Sequence, residues 1–152
     1  MDGCPVPWRV SAARARVGAM SAIERIRPEG LVRSPAFSHV AVVPPGATTI
    51  YVGGQNAVDG DGGLVGDGDV AAQAVRAVQN AKTALAAAGA DAGDVVQWTV
   101  LFVDGVDLAA AYQAIASEVA SDDPALVTAA MVAGLGVPGA LIEVSAVAAV
   151  VR

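Results

Sequence analysis

Residues 69–103, DVAAQAVRAVQNAKTALAAAGADAGDVVQWTVLFV, contain the two patterns that decide the fold class. In the first part, apolar residues recur at the spacing of an amphipathic helix; they are Val70, Ala74, Val78, Ala81 and Leu85. Asp69 is the predicted N-cap, and Gly89 follows the helix where a positive φ is favoured. Residues 95–103 then alternate as a strand, with one wholly apolar face. The stretch predicts a helix that packs one apolar stripe on a sheet.

The flanking sequence extends this pattern on both sides. Further strands are predicted at residues 23–27, 40–43, 49–52, 126–132 and 141–151, and a second amphipathic helix carries Leu108, Tyr112, Ile115 and Val119. Gly- and Pro-rich turns separate these segments. The predicted order is βββαβαββ, an α+β fold with two helices covering one face of the sheet. The other face is of mixed, small and polar character, which favours burial between subunits.

Composition and charge restrict the classes of partner. The 152 residues suit a single domain. From Met20 onward the chain has six basic and fourteen acidic residues, and an acidic surface opposes binding of phosphate backbones. There is no uncharged apolar run of the length that spans a bilayer. We therefore expect neither nucleic acid nor a membrane as a partner.

The first 19 residues differ from the rest, since they are basic and rich in Pro, Gly and Ala. We interpret residues 1–19 as a flexible extension, or as the product of an upstream start codon with Met20 as the true start. A targeting segment is the alternative. The folded domain is predicted over residues 20–152.

Cys4 and His39 are the only cysteine and the only histidine. A disulfide within one chain is therefore impossible, which fits the expected cytoplasmic location. A zinc site normally needs several His or Cys ligands, so no metal is expected. His39 itself is interpreted as a hydrogen-bonded structural or surface residue rather than a catalyst.

Glu143 is the most informative candidate for chemistry. It is the only charged residue of the run 140–151, and strand alternation places it with Ser145 on one face, opposite Ile142 and Val144. An isolated buried charge is costly, so this carboxylate is either exposed or partnered. Two interpretations stay open: an edge or solvent charge that discourages aggregation, and a general acid or base in a cleft.

Other polar positions have weaker functional signals. Gly53-Gly54-Gln55 ends a strand, where the glycines serve either unusual backbone dihedrals or the close approach of a ligand. Gln73 and Asn80 share a helix face and are expected to make structural hydrogen bonds. The loop 59–69 contains four aspartates but lacks the calcium-loop pattern, so it is predicted to be a solvated turn.

Several motifs, in order along residues 23–151, resemble the Rid (reactive intermediate deaminase, YjgF-like) family. They are Phe37-Ser38-His39, Tyr51-Val52-Gly53-Gly54-Gln55, the segment from Asp69 through Asn80 with Gly89, Gly93-Asp94-Val95-Val96, Pro124-Ala125 and Ile142-Glu143-Val144. The resemblance implies a chorismate-mutase-like α+β subunit and a homotrimer with clefts between neighbours. It also implies hydrolysis of reactive imines and enamines, such as 2-aminoacrylate, to keto acids and ammonia, without a metal or organic cofactor.

The chain departs from the family pattern within the implied site. The substrate-clamping arginine that follows the Pro-Ala pair in active members is replaced by Leu126, the tyrosine by Phe37, and the serine before Gly-Gln by Gly53. Arg33 is a weak candidate for a replacement charge. Glu143 carries over as the catalytic candidate, and the expected pocket consists of Phe37, Gly53, Gly54, Leu126 and Thr128.

The sequence thus predicts a small-molecule site in an apolar inter-subunit cleft. The expected activity is binding and hydrolysis of a small imine, enamine or carbonyl compound without the usual α-carboxylate. The alternative is a non-catalytic trimer that holds a metabolite or a partner protein. A ribonuclease activity is disfavoured because the chain is acidic.

Overall fold

The structure of the chain, a computed structural model, describes residues 22–151. The proposed extension at residues 1–19 lies outside the described residues. The helices and strands are β1 (Glu24–Ile26), β2 (Val40–Val42), β3 (Thr48–Gln55), α1 (Val70–Ala87), β4 (Val95–Val103), α2 (Leu108–Val119), β5 (Leu126–Val132) and β6 (Ile142–Val150). The predicted order βββαβαββ is confirmed.

Both ends of α1 are formed by residues that the sequence marks. The Asp69 carboxylate accepts a hydrogen bond from the Ala72 amide at 3.0 Å, so it caps the helix. At the other end Gly89 has φ +75°. The amides of Gly89 and Ala90 bond back to the carbonyls of Ala86 and Leu85, which is the Schellman arrangement. These caps set the length of the helix.

Four of the strands form the main sheet, in the order β3-β6-β4-β5. The β3–β6 and β6–β4 pairs are antiparallel, whereas β4 and β5 are parallel and are joined through α2. Strands β1 and β2 form a separate antiparallel pair. The connection β4-α2-β5 is a crossover of the kind that parallel strands require.

The core lies between the sheet and α1. Helix α1 packs against β6 and β3. Successive side chains of each strand point to opposite faces of the sheet, so one set contacts the helices and the other lies on the opposite surface. The largest fully buried side chains are Phe102, Leu85, Ile142, Gln73, Val78, Val95 and Val144. Helix α2 packs mainly on α1.

The face of the sheet that the helices leave uncovered, here called the outer face, is mixed in character. In the middle of this face, Glu143 of β6 lies beside Leu101 of β4, and Ser145 of β6 lies beside Thr99 of β4. Tyr51, on the edge strand β3, is 79% exposed. Neither helix of residues 22–151 is both long and apolar enough to cross a membrane.

Candidate functional site

Glu143 lies on the outer face of the central strand β6. Its neighbours Ile142 and Val144 point into the core and are almost fully buried. Glu143 itself is half-buried and pairs with Leu101 of β4. The alternation predicted from the sequence is therefore confirmed, and it leaves the carboxylate on the surface that no helix covers.

A β-bulge lies beside this carboxylate. The β3–β6 register passes from Val52 opposite Ala146 to Gln55 opposite Val144, so β3 contains one extra residue at Gly53-Gly54. Bulges of this kind bend an edge strand and are common next to functional sites. The bulge brings the backbone of β3 against the side chain of Glu143.

Gly54 is the residue that this close approach requires. A Cβ atom built on Gly54 would overlap the Glu143 carboxylate, lying 2.5 Å from its Cδ and 2.9 Å from its Cγ. Neither Gly53 nor Gly54 has a positive φ. The interpretation that these glycines serve unusual dihedrals is therefore wrong: the bulge and the Glu143 side chain explain Gly54.

Within residues 22–151 no cation pairs with the Glu143 carboxylate. Among residues 22–151 the ion pairs are Arg25–Asp123 and Lys82–Glu118, and Glu143 belongs to neither. It also accepts no hydrogen bond from another described residue. A half-buried carboxylate in this state can accept a proton or a hydrogen bond from a molecule that reaches the outer face.

Comparison with known proteins identifies the family. A family model described as Endoribonuclease L-PSP matches residues 31–150. The structure is similar to that of a protein of unknown function of the conserved Rid protein family, YyfB from Yersinia pestis. The two are 32% identical with a TM-score of 0.73, over 85% of this chain and 98% of the other. The chain belongs to the Rid family.

Other solved structures are similar to this Rid chain. The YjgF gene product from E. coli is 31% identical with a TM-score of 0.59, over 72% of this chain and 85% of that one. E. coli TdcF, solved with bound serine, is 25% identical with a TM-score of 0.59, over 78% and 94% of the two chains. No curated protein matches the chain. The chorismate-mutase-like α+β fold expected of a Rid subunit is thereby confirmed.

The remaining predicted pocket residues do not meet Glu143 within one Rid chain. Leu126 and Thr128 lie on the outer face of β5, where they pair with Gln97 and Thr99 of β4. Strand β4 separates β5 from β6, so the two strands are about 10 Å apart. Gln97 donates a hydrogen bond to the Thr128 hydroxyl at 3.1 Å. These two residues therefore border a different part of the outer face from Glu143 and Gly54.

Phe37 lies in the segment between β1 and β2 and lines a cavity on the helix side of the sheet, whereas the Glu143 carboxylate is on the opposite face. Its ring makes an edge contact with His39, with the centroids 5.4 Å apart. His39 Nε2 is 2.8 Å from the Val32 carbonyl oxygen, so the histidine holds this loop together, as the structural interpretation predicted. Arg33 is exposed in the same loop, and among the described residues it makes no ion pair.

The side-chain amides of Gln73 and Asn80 on α1 make the structural hydrogen bonds that were predicted for them. Fully buried Gln73 donates to the carbonyls of Gly66 and Gly139 and accepts from the Leu141 amide. Asn80 donates to two carbonyls of the segment after β3, those of Asn56 and Val58. Both residues join α1 to loops that flank β3 and β6.

The aspartate-rich loop is a hydrogen-bonded turn. The Asp59 carboxylate accepts from the amides of Asp61 and Gly63 at 3.0 and 2.7 Å. Within residues 22–151, no group of three or more His, Cys, Asp or Glu side chains is placed to hold a metal ion. The prediction of a turn is confirmed.

The structural role of Arg25 was not predicted from the sequence. Its guanidinium donates to Asp123 at 3.1 Å and to the carbonyls of Gly93 and Val95 at 2.9 and 2.7 Å, and only 8% of the side chain is exposed. It thus joins β1 to the segments that lead into β4 and β5. The sequence showed only that charged and apolar residues alternate around Arg25. That alternation does not indicate which residues far along the chain form hydrogen bonds with Arg25.

Proposed function

We propose that this Rid chain forms a homotrimer whose inter-subunit clefts bind and hydrolyse small imines or enamines that lack an α-carboxylate. Glu143 is the catalytic residue in this proposal. Phe37, Gly53, Gly54, Leu126 and Thr128 shape the cleft. The products are the corresponding carbonyl compound and ammonia, and no metal or cofactor takes part.

The observation that carries the proposal is the position of the Glu143 carboxylate over Gly54. A carboxylate that only keeps an edge strand soluble needs no bulge and no glycine beside it, and β6 is a central strand. The missing Cβ at Gly54 instead leaves the carboxylate pressed against backbone, where its position is defined. Defined placement of a proton acceptor is what general base catalysis needs.

The chemistry assigned to Glu143 is proton transfer during addition of water. The carboxylate removes a proton from water as the oxygen attacks the imine carbon, and the proton passes to the imine nitrogen. The carbinolamine then passes its hydroxyl proton, through the same carboxylate, to the amino nitrogen, so that the C–N bond breaks, ammonia leaves and the carbonyl forms. An enamine first takes a proton at carbon to become the imine. Each step needs one group that exchanges protons, and Glu143 is the candidate.

Leu126 supports the choice of substrate. Active relatives, as the family resemblance implies, clamp the substrate carboxylate with an arginine at this position. A leucine offers no charge and no hydrogen bond, and an unpaired carboxylate is costly to bury. A charge-assisted hydrogen bond contributes about 1.5–3 kcal/mol, so its loss costs roughly ten- to a few hundredfold in binding or rate. A neutral imine does not suffer this loss.

The homotrimer is supported by the division of the pocket residues. Glu143 with Gly54, and Leu126 with Thr128, occupy separate parts of the outer face of one chain. Neighbouring chains can bring one set against the other across an interface. Highly exposed Tyr51 on the same face fits burial in such an interface. Sedimentation velocity at several protein concentrations measures the assembly, and a monomer at all of them would contradict it.

A non-catalytic binding module is the second candidate, and Leu126 favours it because the residue removes the family's means of holding an amino-acid-derived substrate. The ribonuclease activity in the description of the matching family model is a weaker candidate. The chain has a formal net charge of −6, which opposes binding of RNA. Saturable RNA binding at low salt would reopen this interpretation.

The decisive experiment measures ammonia and carbonyl release from freshly generated imines. The panel pairs each α-imino acid with its analogue that lacks the carboxylate, and it compares the full chain with Glu143→Gln. Ser145→Ala is the matched control, because Ser145 lies on the same face two residues along β6. We expect turnover of the neutral imines, a loss of roughly a hundredfold or more in Glu143→Gln, and little change in Ser145→Ala.

The alternative outcomes separate the candidates. Full activity of Glu143→Gln would exclude the catalytic role of that residue. Absence of turnover, together with a raised melting temperature in the presence of a panel member or its carbonyl product, would support the binding module. Preference for α-imino acids over their neutral analogues would contradict the role given to Leu126.

A further inference from the structure

Helix α2 leaves part of the sheet uncovered on the helix side. Val127 and Met131 of β5 point toward the helix layer, since they pair with the buried residues Trp98 and Phe102. They are nevertheless 37% and 43% exposed. Because α2 packs mainly on α1 and stands away from β5, a cavity of about 380 Å³ remains between α2 and the sheet.

The walls of this α2 cavity are almost entirely apolar. Its floor is formed by β4 and β5, including Trp98, Val100 and Ala129, and its roof by Tyr112, Ile115 and Val119 of α2. No charged side chain of the described residues lines it. The indole of Trp98 and the hydroxyl of Tyr112 are the polar side-chain groups among the lining residues. Water in such a space has few hydrogen-bonding partners.

The α2 cavity lies on the opposite face of the sheet from Glu143, although Phe37, one of the residues of the proposed cleft, is among those that line it. Val144 lines the cavity, whereas Glu143, the preceding residue, lies on the opposite face of the sheet. A second apolar depression continues from the cavity between Pro35-Ala36 and α2, sharing Ala36, Tyr112, Ile115 and Val119 with it. This depression provides a path to the surface, between the loop before β2 and the helix.

We infer that the α2 cavity is a binding site for a neutral, mainly apolar small molecule, best matched by a substituted benzene. The volume falls within the range of small-molecule sites. An apolar cavity of about 150 Å³ already holds benzene, so this one accommodates roughly ten to fifteen non-hydrogen atoms. The uncharged walls exclude a carboxylate or an ammonium group, since neither would find a partner there. The inference does not depend on the proposed hydrolysis.

The test uses the fluorescence of Trp98, because its ring lines the cavity. The chain has two tryptophans, and Trp8→Phe makes Trp98 the only one. This full-length protein is titrated with 4-bromophenol, which is neutral at pH 7 and quenches indole on contact through its heavy atom. The charged 4-bromobenzoate, of nearly the same size, is the matched ligand. We expect saturable quenching below millimolar concentration by the phenol and at least tenfold weaker binding of the benzoate.

Two variants locate the binding. Ala129→Phe fills the cavity from β5, and Ala36→Phe blocks it from the loop before β2. Ala36 lies outside the helices and strands, so its substitution is less disruptive to folding. Gln113→Phe adds the same ring on the exposed side of α2 and is the control. We expect at least tenfold weaker binding of 4-bromophenol in each blocking variant that folds, and unchanged binding in the control.

Any one of four results would overturn the inference. The first is quenching that increases linearly without saturation. The second is equal binding of 4-bromophenol and 4-bromobenzoate. The third is binding that survives in Ala36→Phe and in Ala129→Phe. If no ligand binds but Ala129→Phe alters the oligomeric state, the cavity is covered by a second copy of the chain and is not a ligand site.

Discussion

The carboxylate of Glu143 occupies the space that a Cβ atom on Gly54 would need. The two residues are distant in sequence and become neighbours because β3 bulges as it pairs with β6. Gly54 and Glu143 thus form one structural unit on the outer face of the sheet. This relationship makes Gly54 a positioning residue for the proposed catalytic carboxylate.

Gly54→Ala is expected to impair the proposed hydrolysis without unfolding the chain. The added methyl group must displace Glu143, and a displacement of about 1 Å in a catalytic group can reduce the rate about a hundredfold. The matched control is Gly60→Ala, which lies outside the proposed cleft residues, since a Cβ there has no atom within 4 Å and the residue has no positive φ. The values of kcat and KM for a neutral imine are measured for both variants. Equal effects of the two substitutions would show that the Glu143–Gly54 contact is unimportant.

Leu126→Arg is expected to shift the preference of the site toward substrates with an α-carboxylate. The new guanidinium supplies charge-assisted hydrogen bonds of about 1.5–3 kcal/mol, so kcat/KM for an α-imino acid should rise roughly ten- to a few hundredfold. The rate for the neutral analogue should not rise. Leu126→Gln, which is polar but uncharged, is the control. An equal change for both substrates would indicate that residue 126 does not face the substrate.

Gln73→Leu is expected to destabilise the fold strongly. Gln73 is fully buried and satisfies three backbone groups, those of Gly66, Gly139 and Leu141. Each buried polar group left unpaired costs about 1–3 kcal/mol, so the loss of three partners should lower the free energy of unfolding by at least about 3 kcal/mol. Gln79→Leu, on the exposed side of the same helix, should change it by about 0.5 kcal/mol or less. Urea denaturation at one fixed protein concentration measures both. A small effect in Gln73→Leu would mean that those backbone groups find other partners.

The helices and strands were predictable because the signals for them are local. The spacing of Val70, Val78 and Leu85 follows the helical repeat, and Asp69 and Gly89 mark its ends, where the structure places a cap and a positive φ. The alternation in residues 95–103 likewise reports which side chains meet the helices. Such patterns depend on neighbours a few residues away, so they can be read from the chain itself.

The candidate site was only partly predictable. Alternation along β6 placed Glu143 opposite the core, but nothing in the sequence gives the register that brings Gly54 against it. The unusual-dihedral interpretation of Gly53-Gly54 was wrong for that reason. The α2 cavity was also invisible, because it arises from the distance between α2 and β5 and not from any residue that lines it.

The amino-acid sequence by itself determined the order βββαβαββ, the family and the face of β6 on which Glu143 lies. It also showed a leucine at position 126, where the family resemblance implies a clamping arginine. Periodicity, caps and motifs are carried by residue identity over short stretches of chain. Tertiary structure alone decided that Gly54 makes room for the Glu143 carboxylate and that Arg25 joins three segments. It also decided that an apolar space remains beneath α2. These features depend on strand register and on the separation of packed elements, which result from the summed contacts of the whole domain.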